Sequence, residues 1–309
     1  MRVDMAYTGV LGPPSQYPLQ AEAEHSQPQA EAERDQLQAE PDHGVTALAQ
    51  VAMPQVITVW GPSGAPGRST VAINLGDALH RLGRRVLLID CDVFNPSLAL
   101  MLGAHQSGHT LATLFAALAR NPAVDLGDYL VRIRRDRFAL IAGLSNPARW
   151  AELSLELFPR VLAAAHVFDF VVFDVAGDIA STTSSGSARA GPDLITRFLV
   201  REGWHLVVVG DSNILGIDRL ARVASQVRRL RPNASIDFVL NRRPRTSGIT
   251  DTHRELFHRL TKESITATLP YDRKTISAAL ERGCTASAIR QRGEFSNAML
   301  AFASRLVTP

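Results

Sequence analysis

The chain has 309 residues, of which 46% are hydrophobic and 6% aromatic, and its formal net charge is +3. This length suffices for one large α/β domain or two smaller ones with a filled core. Cys91 and Cys284 match neither a disulfide nor a metal pattern, and no apolar run approaches the roughly 18–20 residues of a membrane span. The chain also starts without the apolar core of a signal peptide. We therefore expect a cytoplasmic protein.

Residues 1–54 differ in composition from the rest of the chain. They are rich in Gln, Ala, Glu and Pro, and they hold eight acidic residues against two arginines. Repeated QAEAE-like units cannot bury an apolar core, so this segment is predicted to be a disordered acidic tail. The remaining residues, 55–309, are predicted to form one basic domain, in which arginine supplies almost all of the positive charge.

Apolar runs of strand length alternate with helical periodicity from residue 55 onward. The predicted strands are Val56–Trp60, Val86–Ile89, Phe138–Ile141, Phe170–Phe173, Leu206–Val209, Ile236–Leu240 and Ile265–Leu269. The predicted helices are Ser69–Leu82, Leu111–Ala119, Glu152–His166, Ile214–Leu230, Asp251–Leu260, Arg273–Arg282 and Glu294–Leu306. Continuous apolar strands separated by helices predict an α/β fold, with a mostly parallel sheet covered by helices on both faces.

A glycine-rich loop joins the first strand to the first helix. Glycines permit positive φ and a close approach of the backbone to phosphate oxygens, and the helix N-terminus that follows attracts anions. Arg68 stands where such loops usually carry a lysine, and the Ser69 hydroxyl suits a Mg²⁺ ligand. A glycine-rich turn without a ligand is the alternative. The candidate phosphate-binding residues are Gly61, Ser63, Gly64, Ala65, Pro66, Gly67, Arg68, Ser69 and Thr70.

Three acidic residues end predicted strands. Asp90 and Asp92 follow the second strand, and Asp174 ends the FDFVVFD run. Ligands of parallel sheets bind at the carboxyl ends of the strands, where these acids and the glycine-rich loop are expected to converge. A single acid at a strand end is often only a helix cap, but three beside such a loop favour a Mg²⁺ site.

Together these segments resemble the ParA/MinD-type P-loop ATPases. WGPSGAPGRST, VLLIDCD, FDFVVFDVAGD, FVLNRR and LPYDRKTISAAL occur in the order of the corresponding family segments, over roughly residues 55–309. The atypical loop followed by GLSNPARWAEL looks most like the CpaE/TadZ branch, which is associated with pilus assembly and with polar or septal localisation. The resemblance implies ATP and Mg²⁺ as ligands.

The resemblance also assigns roles around the phosphates. Arg68 takes the position of the phosphate-binding lysine, and Ser69 that of the Mg²⁺ ligand. Asp92 would polarise the attacking water, with Asp90 supporting Mg²⁺ or its waters. Asp174 is the acid of the second acidic strand end and completes the implied metal set.

Further matches imply a γ-phosphate switch and a base-binding region. Gly177 would belong to the switch that senses the γ-phosphate. Asn241 matches the residue that hydrogen-bonds adenine, with Arg242 beside it, and a turn or helix cap is the alternative for Asn241. Pro270 and Asp272 mark the loop that flanks the base.

The loop departs from the family pattern at two lysine positions. Ser63 replaces the lysine that reaches across the family's dimer interface, Pro62 replaces the first loop glycine, and Gly61 is displaced by one position. Arginine at position 68 is planar and cannot reproduce the single-point contact of an ammonium group. Because fewer groups stabilise the transition-state charge, we expect slow hydrolysis. A nucleotide-binding scaffold without turnover is the alternative.

Other site types fit less well. A Rossmann dinucleotide site would use Asp90, but the loop reads G-x-x-G-x-x-G, and Asp92 and Asp174 have no role in that scheme. A serine hydrolase built on Ser63 fails because the nucleophile elbow needs glycine at position 65.

Two surface features suggest binding partners. Arg228, Arg229, Arg231, Arg242, Arg243 and Arg245 could contact DNA without sequence specificity, although a solvated arginine-rich face is the preferred interpretation. The C-terminal apolar helix could anchor to a membrane surface, but packing onto the domain is preferred.

We expect the protein to form a homodimer across bound nucleotide. It would localise a protein cargo at a pole, septum or nucleoid, for pilus assembly, septum-site placement or chromosome partitioning.

Overall fold

The structure is a computed structural model that describes residues 53–64, 67–104, 108–134, 138–177, 191–245 and 247–307. The predicted acidic tail lies outside the described residues, apart from its last two positions. Ala65 and Pro66 of the glycine-rich loop also lie outside them. The disorder of the tail and the binding roles of these two loop residues therefore stay predictions.

Within this part of the chain, eight strands form one sheet in the order β3-β4-β2-β5-β1-β6-β7-β8. The strands are β1 (Gln55–Trp60), β2 (Val86–Cys91), β3 (Val131–Arg134), β4 (Phe138–Ile141), β5 (Phe170–Val175), β6 (His205–Asp211), β7 (Ser235–Arg243) and β8 (Ile265–Pro270). Neighbouring strands run parallel except at the edge, where β3 pairs antiparallel with β4. The predicted mostly parallel sheet is confirmed.

Helices follow most of the strands, because parallel neighbouring strands need a crossover connection, which is usually an α-helix. They are α1 (Arg68–Arg81), α2 (Leu98–Met101), α3 (Leu111–Arg120), α4 (Phe158–Ala164), α5 (Asp193–Glu202), α6 (Ile214–Leu230), α7 (Ser247–Thr261), α8 (Arg273–Glu281), α9 (Ala286–Ile289) and α10 (Glu294–Val307). None of these helices is long and apolar enough to cross a bilayer.

The core explains the apolar runs of the sequence. All six residues of β2 and all six of β5 are buried, because helices cover these central strands. The apolar side of α10 packs into the same core as α1, and Phe295, Met299 and Phe302 are each at most 2% exposed. Packing of the C-terminal helix onto the domain is therefore confirmed, and this apolar face is not available to a membrane.

The predicted helix Glu152–His166 is wrong over its first half. Two short 3-10 helices, Pro147–Glu152 and Leu155–Leu157, come first, and the α-helix begins at Phe158. Pro159 lies in the first turn of α4, where its missing N–H breaks no helical hydrogen bond. The periodicity of the segment could not show this interruption.

Candidate functional site

The glycine-rich loop turns the chain from the end of β1 into α1. Gly64 and Gly67 have φ values of 99° and 84°, in the left-handed region that favours glycine. The first turn of α1 has neither a side-chain cap nor an acidic residue. The N–H groups at this helix end therefore face the loop and can bind an anion.

Gly61 serves the packing of the sheet. A Cβ on Gly61 would collide with the main-chain carbonyl oxygen of Val209 in β6. The end of β1 therefore approaches β6 at a distance that only glycine allows. This gives Gly61 a structural reason that is independent of phosphate binding.

Arg68 folds back across the loop. Its Nη1 donates a hydrogen bond to the carbonyl oxygen of Pro62 at 3.3 Å. The guanidinium group also lies against Gly177, just beyond β5, where a Cβ would lie 2.5 Å from Nη1 and 2.8 Å from Nη2. Arg68 thus connects the start of the loop with the predicted γ-phosphate switch.

Asp174 is a buried carboxylate beside the loop. Its residue is 1% exposed, and neither carboxylate oxygen accepts a hydrogen bond within the described structure at ordinary distances. Burial, and then the charge of Asp90, raise the pKa of Asp174 well above its usual range, while the nearby Ser69 hydroxyl and Arg68 oppose the rise. A buried carboxylate without partners is costly unless a cation or proton joins it. Asp174 therefore fits a site that holds a cation.

Asp90 lies opposite Asp174 in the register of β2 and β5, but its oxygens are occupied. Oδ2 accepts the N–H groups of Ser97 and Leu98, both at 2.9 Å, and Oδ1 accepts the N–H of Asp92 at 3.2 Å. Burial raises the pKa of Asp90 to about 7, although these three N–H groups oppose the rise. Asp90 therefore holds the connection between β2 and α2 in place.

Gly143 makes room for this arrangement, and the sequence did not indicate it. A Cβ there would lie 2.9 Å from the carboxylate carbon of Asp90 and 2.5 Å from Cβ of Pro96. Gly143 belongs to the GLSNP segment that follows β4. Its proximity to Asp90 depends on the pairing of β2 with β4, which the sequence does not specify.

Asp92 is held by the turn that follows it. Its Oδ1 accepts the N–H groups of Phe94 at 3.1 Å and Asn95 at 2.9 Å. Oδ2 makes no hydrogen bond to a described residue. One oxygen is thus fixed by the backbone, and the other can orient a water molecule.

The acids do not form a ready-made metal cage. Among the described residues, no three His, Cys, Asp or Glu side chains are close enough to hold an ion between them. Mg²⁺ commonly binds through one or two protein ligands together with phosphates and waters. The unpartnered Asp174 beside Ser69 fits that mode better than a cluster that also uses Asp90.

Asn241 lies on the other side of the loop, near the end of β7. It is 5% exposed, and its amide nitrogen lies 2.8 Å from the position that a Cβ on Gly67 would take. Its Oδ1 accepts the N–H of Arg242, whose φ is 57°, and the Arg242 side chain donates to Asp211 at 3.3 Å. Asn241 therefore adjoins the glycine-rich loop.

Pro270 and Asp272 lie at the end of β8, the strand next to β7. Pro270 ends β8 and pairs with Arg243 in the register of the two strands. Asp272 caps α8: one oxygen accepts the N–H of Thr275 at 3.1 Å and the other its hydroxyl at 2.7 Å. Asp272 thus shapes the start of α8 at this edge of the sheet.

The arginines predicted to form a basic surface patch are not all exposed. Arg231 is 8% exposed, and its guanidinium donates to the carbonyl oxygens of Val200 and Gly203, so its assignment to a DNA-binding patch is wrong. Arg228 forms an ion pair of 2.7 Å with Glu263. These arginines hold the end of α5 and the start of β8.

The chain belongs to the CobQ/CobB/MinD/ParA family of nucleotide-binding domains, whose profile matches residues 57–284. It is 27% identical over 185 residues to the septum site-determining protein MinD of Synechocystis, covering 58% of this chain and 66% of that protein. It is 24% identical over 229 residues to an uncharacterized ATP-binding protein of Methanocaldococcus jannaschii, covering 74% and 78%.

Solved structures agree on the fold. MinD of Pyrococcus horikoshii, determined with Mg-ADP, superposes with a TM-score of 0.65 at 19% identity, covering 83% of this chain and 97% of that one. A ParA family ATPase of Chlorobium tepidum gives 0.65 at 17% identity, covering 81% and 98%. The predicted ParA/MinD-type fold is confirmed, and the CpaE/TadZ branch stays a prediction.

Proposed function

We propose that this protein binds Mg-ATP, hydrolyses it slowly and uses the nucleotide-bound state as a switch for localising a partner. The observation that carries the proposal is Asp174, a buried carboxylate without a hydrogen-bond partner beside Ser69 and the loop. A nucleotide-binding domain with that carboxylate at the end of β5 is suited to a metal-bound polyphosphate.

Each residue then has a defined part. The N–H groups of the loop and of the first turn of α1 bind phosphate oxygens, and Arg68 leaves Pro62 and Gly177 to contact them. Ser69 and Asp174 would hold Mg²⁺, which would supply positive charge to neutralise the phosphates. The free oxygen of Asp92 orients the attacking water.

A scaffold without turnover is the second candidate function. Arg68 is tied to the Pro62 carbonyl and packs on Gly177, and Ser63 provides no cation at the lip of the loop. Both features remove positive charge from the position where a transition state needs it. Asp92 favours the first candidate, the hydrolysing switch. Backbone N–H groups bond one oxygen of its carboxylate, and the other oxygen stays available for a water molecule.

The proposed cellular role follows the relatives. The expected homodimer across the nucleotide would recruit a protein cargo, and one structural neighbour is a MinC:MinD cell division protein complex. The CpaE-like motifs favour pilus assembly over septum placement or chromosome partitioning. Recruitment to a pole, the septum or the nucleoid would then depend on ATP.

Phosphate release at saturating Mg-ATP separates the two candidates. The comparison needs the wild type, Asp92→Ala and a matched control, Asp218→Ala, which removes a half-exposed acid paired with Arg222. Slow turnover that Asp92→Ala abolishes and Asp218→Ala preserves would support the switch. ATP binding without any turnover by the wild type would leave the scaffold.

A further inference from the structure

A guanidinium group from a distant helix lies on the phosphate-binding loop. Nη1 of Arg219, in the second turn of α6, is so close to Gly64 that a Cβ there would collide with it. The φ of 99° at Gly64 favours glycine, and the guanidinium group of Arg219 occupies the space beside it. No sequence motif pointed to Arg219.

Arg219 differs from the neighbouring arginines in having no anionic partner among the described residues. Arg222 pairs with Asp218 at 2.9 Å, and Arg242 with Asp211 at 3.3 Å. Among the described residues, Arg219 takes part in no hydrogen bond or ion pair at these distances. The acids nearby are thus already paired with other arginines.

The position of the Arg219 guanidinium group matters because Ser63, in the same loop, carries no positive charge. Ser63 and Gly64 form the exposed lip of the loop. Arg68 approaches from the helix side, where it contacts Pro62 and Gly177. Arg219 approaches the same loop at Gly64, so two guanidinium groups contact this loop and its surroundings.

We infer that Arg219 binds the polyphosphate of the nucleotide in its own chain, supplying at the lip of the loop the positive charge that Ser63 lacks. The planar fork of arginine suits two phosphate oxygens at once. Arg219 would thus select nucleoside triphosphates over monophosphates. The inference rests on the proposed nucleotide binding.

Calorimetric titrations with Mg-ATP, ADP and AMP test this inference. The proteins are the wild type, Arg219→Ala, Arg219→Lys and the control Arg222→Ala, which removes an exposed arginine one turn away. We expect Arg219→Ala to weaken ATP binding at least about tenfold and AMP binding by less than twofold, since a hydrogen bond to a charged group commonly carries that much affinity. Arg219→Lys should recover part of the loss, and Arg222→Ala should match the wild type.

Two results would overturn the inference while leaving the proposed function intact. One is ATP binding by Arg219→Ala within twofold of the wild type. The other is an equal loss for ATP, ADP and AMP, which would indicate a general disturbance of the loop. A wild type that bound none of the three nucleotides would overturn the proposed function itself, and this inference with it. Melting temperatures of all variants should agree, because Arg219 is exposed.

Discussion

The guanidinium group of Arg68 lies directly against Gly177, so that a Cβ on Gly177 would be 2.5 Å from Nη1. This contact joins the loop before α1 to the segment after β5, the two parts of the chain that the proposed switch would use to sense the outer phosphate. A phosphate that bound Nη1 of Arg68 would compete with the carbonyl of Pro62 for this group. The start of the loop and Gly177 are thus connected through one side chain.

Gly177→Ala should displace Arg68 without unfolding the protein. The added methyl group meets the far end of a flexible side chain, and Gly177 has no positive φ, so the cost in stability should stay below about 1 kcal/mol. We expect ATP affinity to change by about threefold or more. Calorimetry on Gly177→Ala beside Arg68→Ala checks this, and an effect of Gly177→Ala that persists in the Arg68→Ala background would contradict the coupling.

The stability of the nucleotide-free protein should fall as the pH rises from about 4 to 8. Burial raises the pKa of Asp90 to about 7 and also raises that of Asp174, so between these pH values the folded state holds protons that the unfolded state has lost. A folded state that binds more protons loses stability with rising pH, for Asp90 alone by about 4 kcal/mol at most. Urea unfolding at several pH values measures this slope. Stability that increases steadily over the same range would contradict the assigned pKa shifts.

Asp174→Asn should stabilise the nucleotide-free protein at high pH, because it removes a carboxylate whose burial disfavours its charged form. We expect the melting temperature to rise by about 2–4 °C, which corresponds to about 1 kcal/mol in a domain of this size. This gain should shrink as the pH falls, because burial raises the pKa of Asp174 and protonation makes its carboxyl neutral, like the amide that replaces it. The same variant should lose the effect of Mg²⁺ on ATP affinity, and a fully retained Mg²⁺ effect would remove Asp174 from the metal site.

Gly61→Ala should destabilise the fold itself. The new methyl group would meet the main-chain carbonyl of Val209, which cannot move without shifting β6, so we expect a loss of about 3 kcal/mol or more. Gly248→Ala is the matched control: it has open space around its Cβ position and lies in α7, where alanine is favourable. Equal denaturation midpoints for the two variants would show that β1 and β6 tolerate a side chain at Gly61.

The sequence predicted the elements whose signals are local. The helical spacing over Ile214–Leu230 matches α6 at both ends, and the apolar run Phe138–Ile141 matches β4. The loop motif and the acids at strand ends likewise predicted that Asp174 lies near the glycine-rich loop, and Asp174 does lie close to Ser69. Local periodicity and strand-end position suffice for these predictions because the carboxyl ends of parallel strands lie at the same edge of the sheet.

What the sequence could not predict depends on contacts between distant segments. The hydrogen bonds of Asp90 require that Ser97 and Leu98 fold back onto it, and the position of Arg219 requires α6 to pack beside the loop. The buried Arg231 looked like a surface residue because its carbonyl partners lie some thirty residues earlier in the chain. Such contacts leave no spacing pattern in one sequence.

Calorimetric titration of ATP into the wild type, with millimolar Mg²⁺ and with a chelator in its place, tests the central claim most directly. The account predicts saturable binding of one ATP per chain that becomes weaker when the chelator removes Mg²⁺. No saturable binding under either condition would contradict the claim that this loop is a nucleotide site.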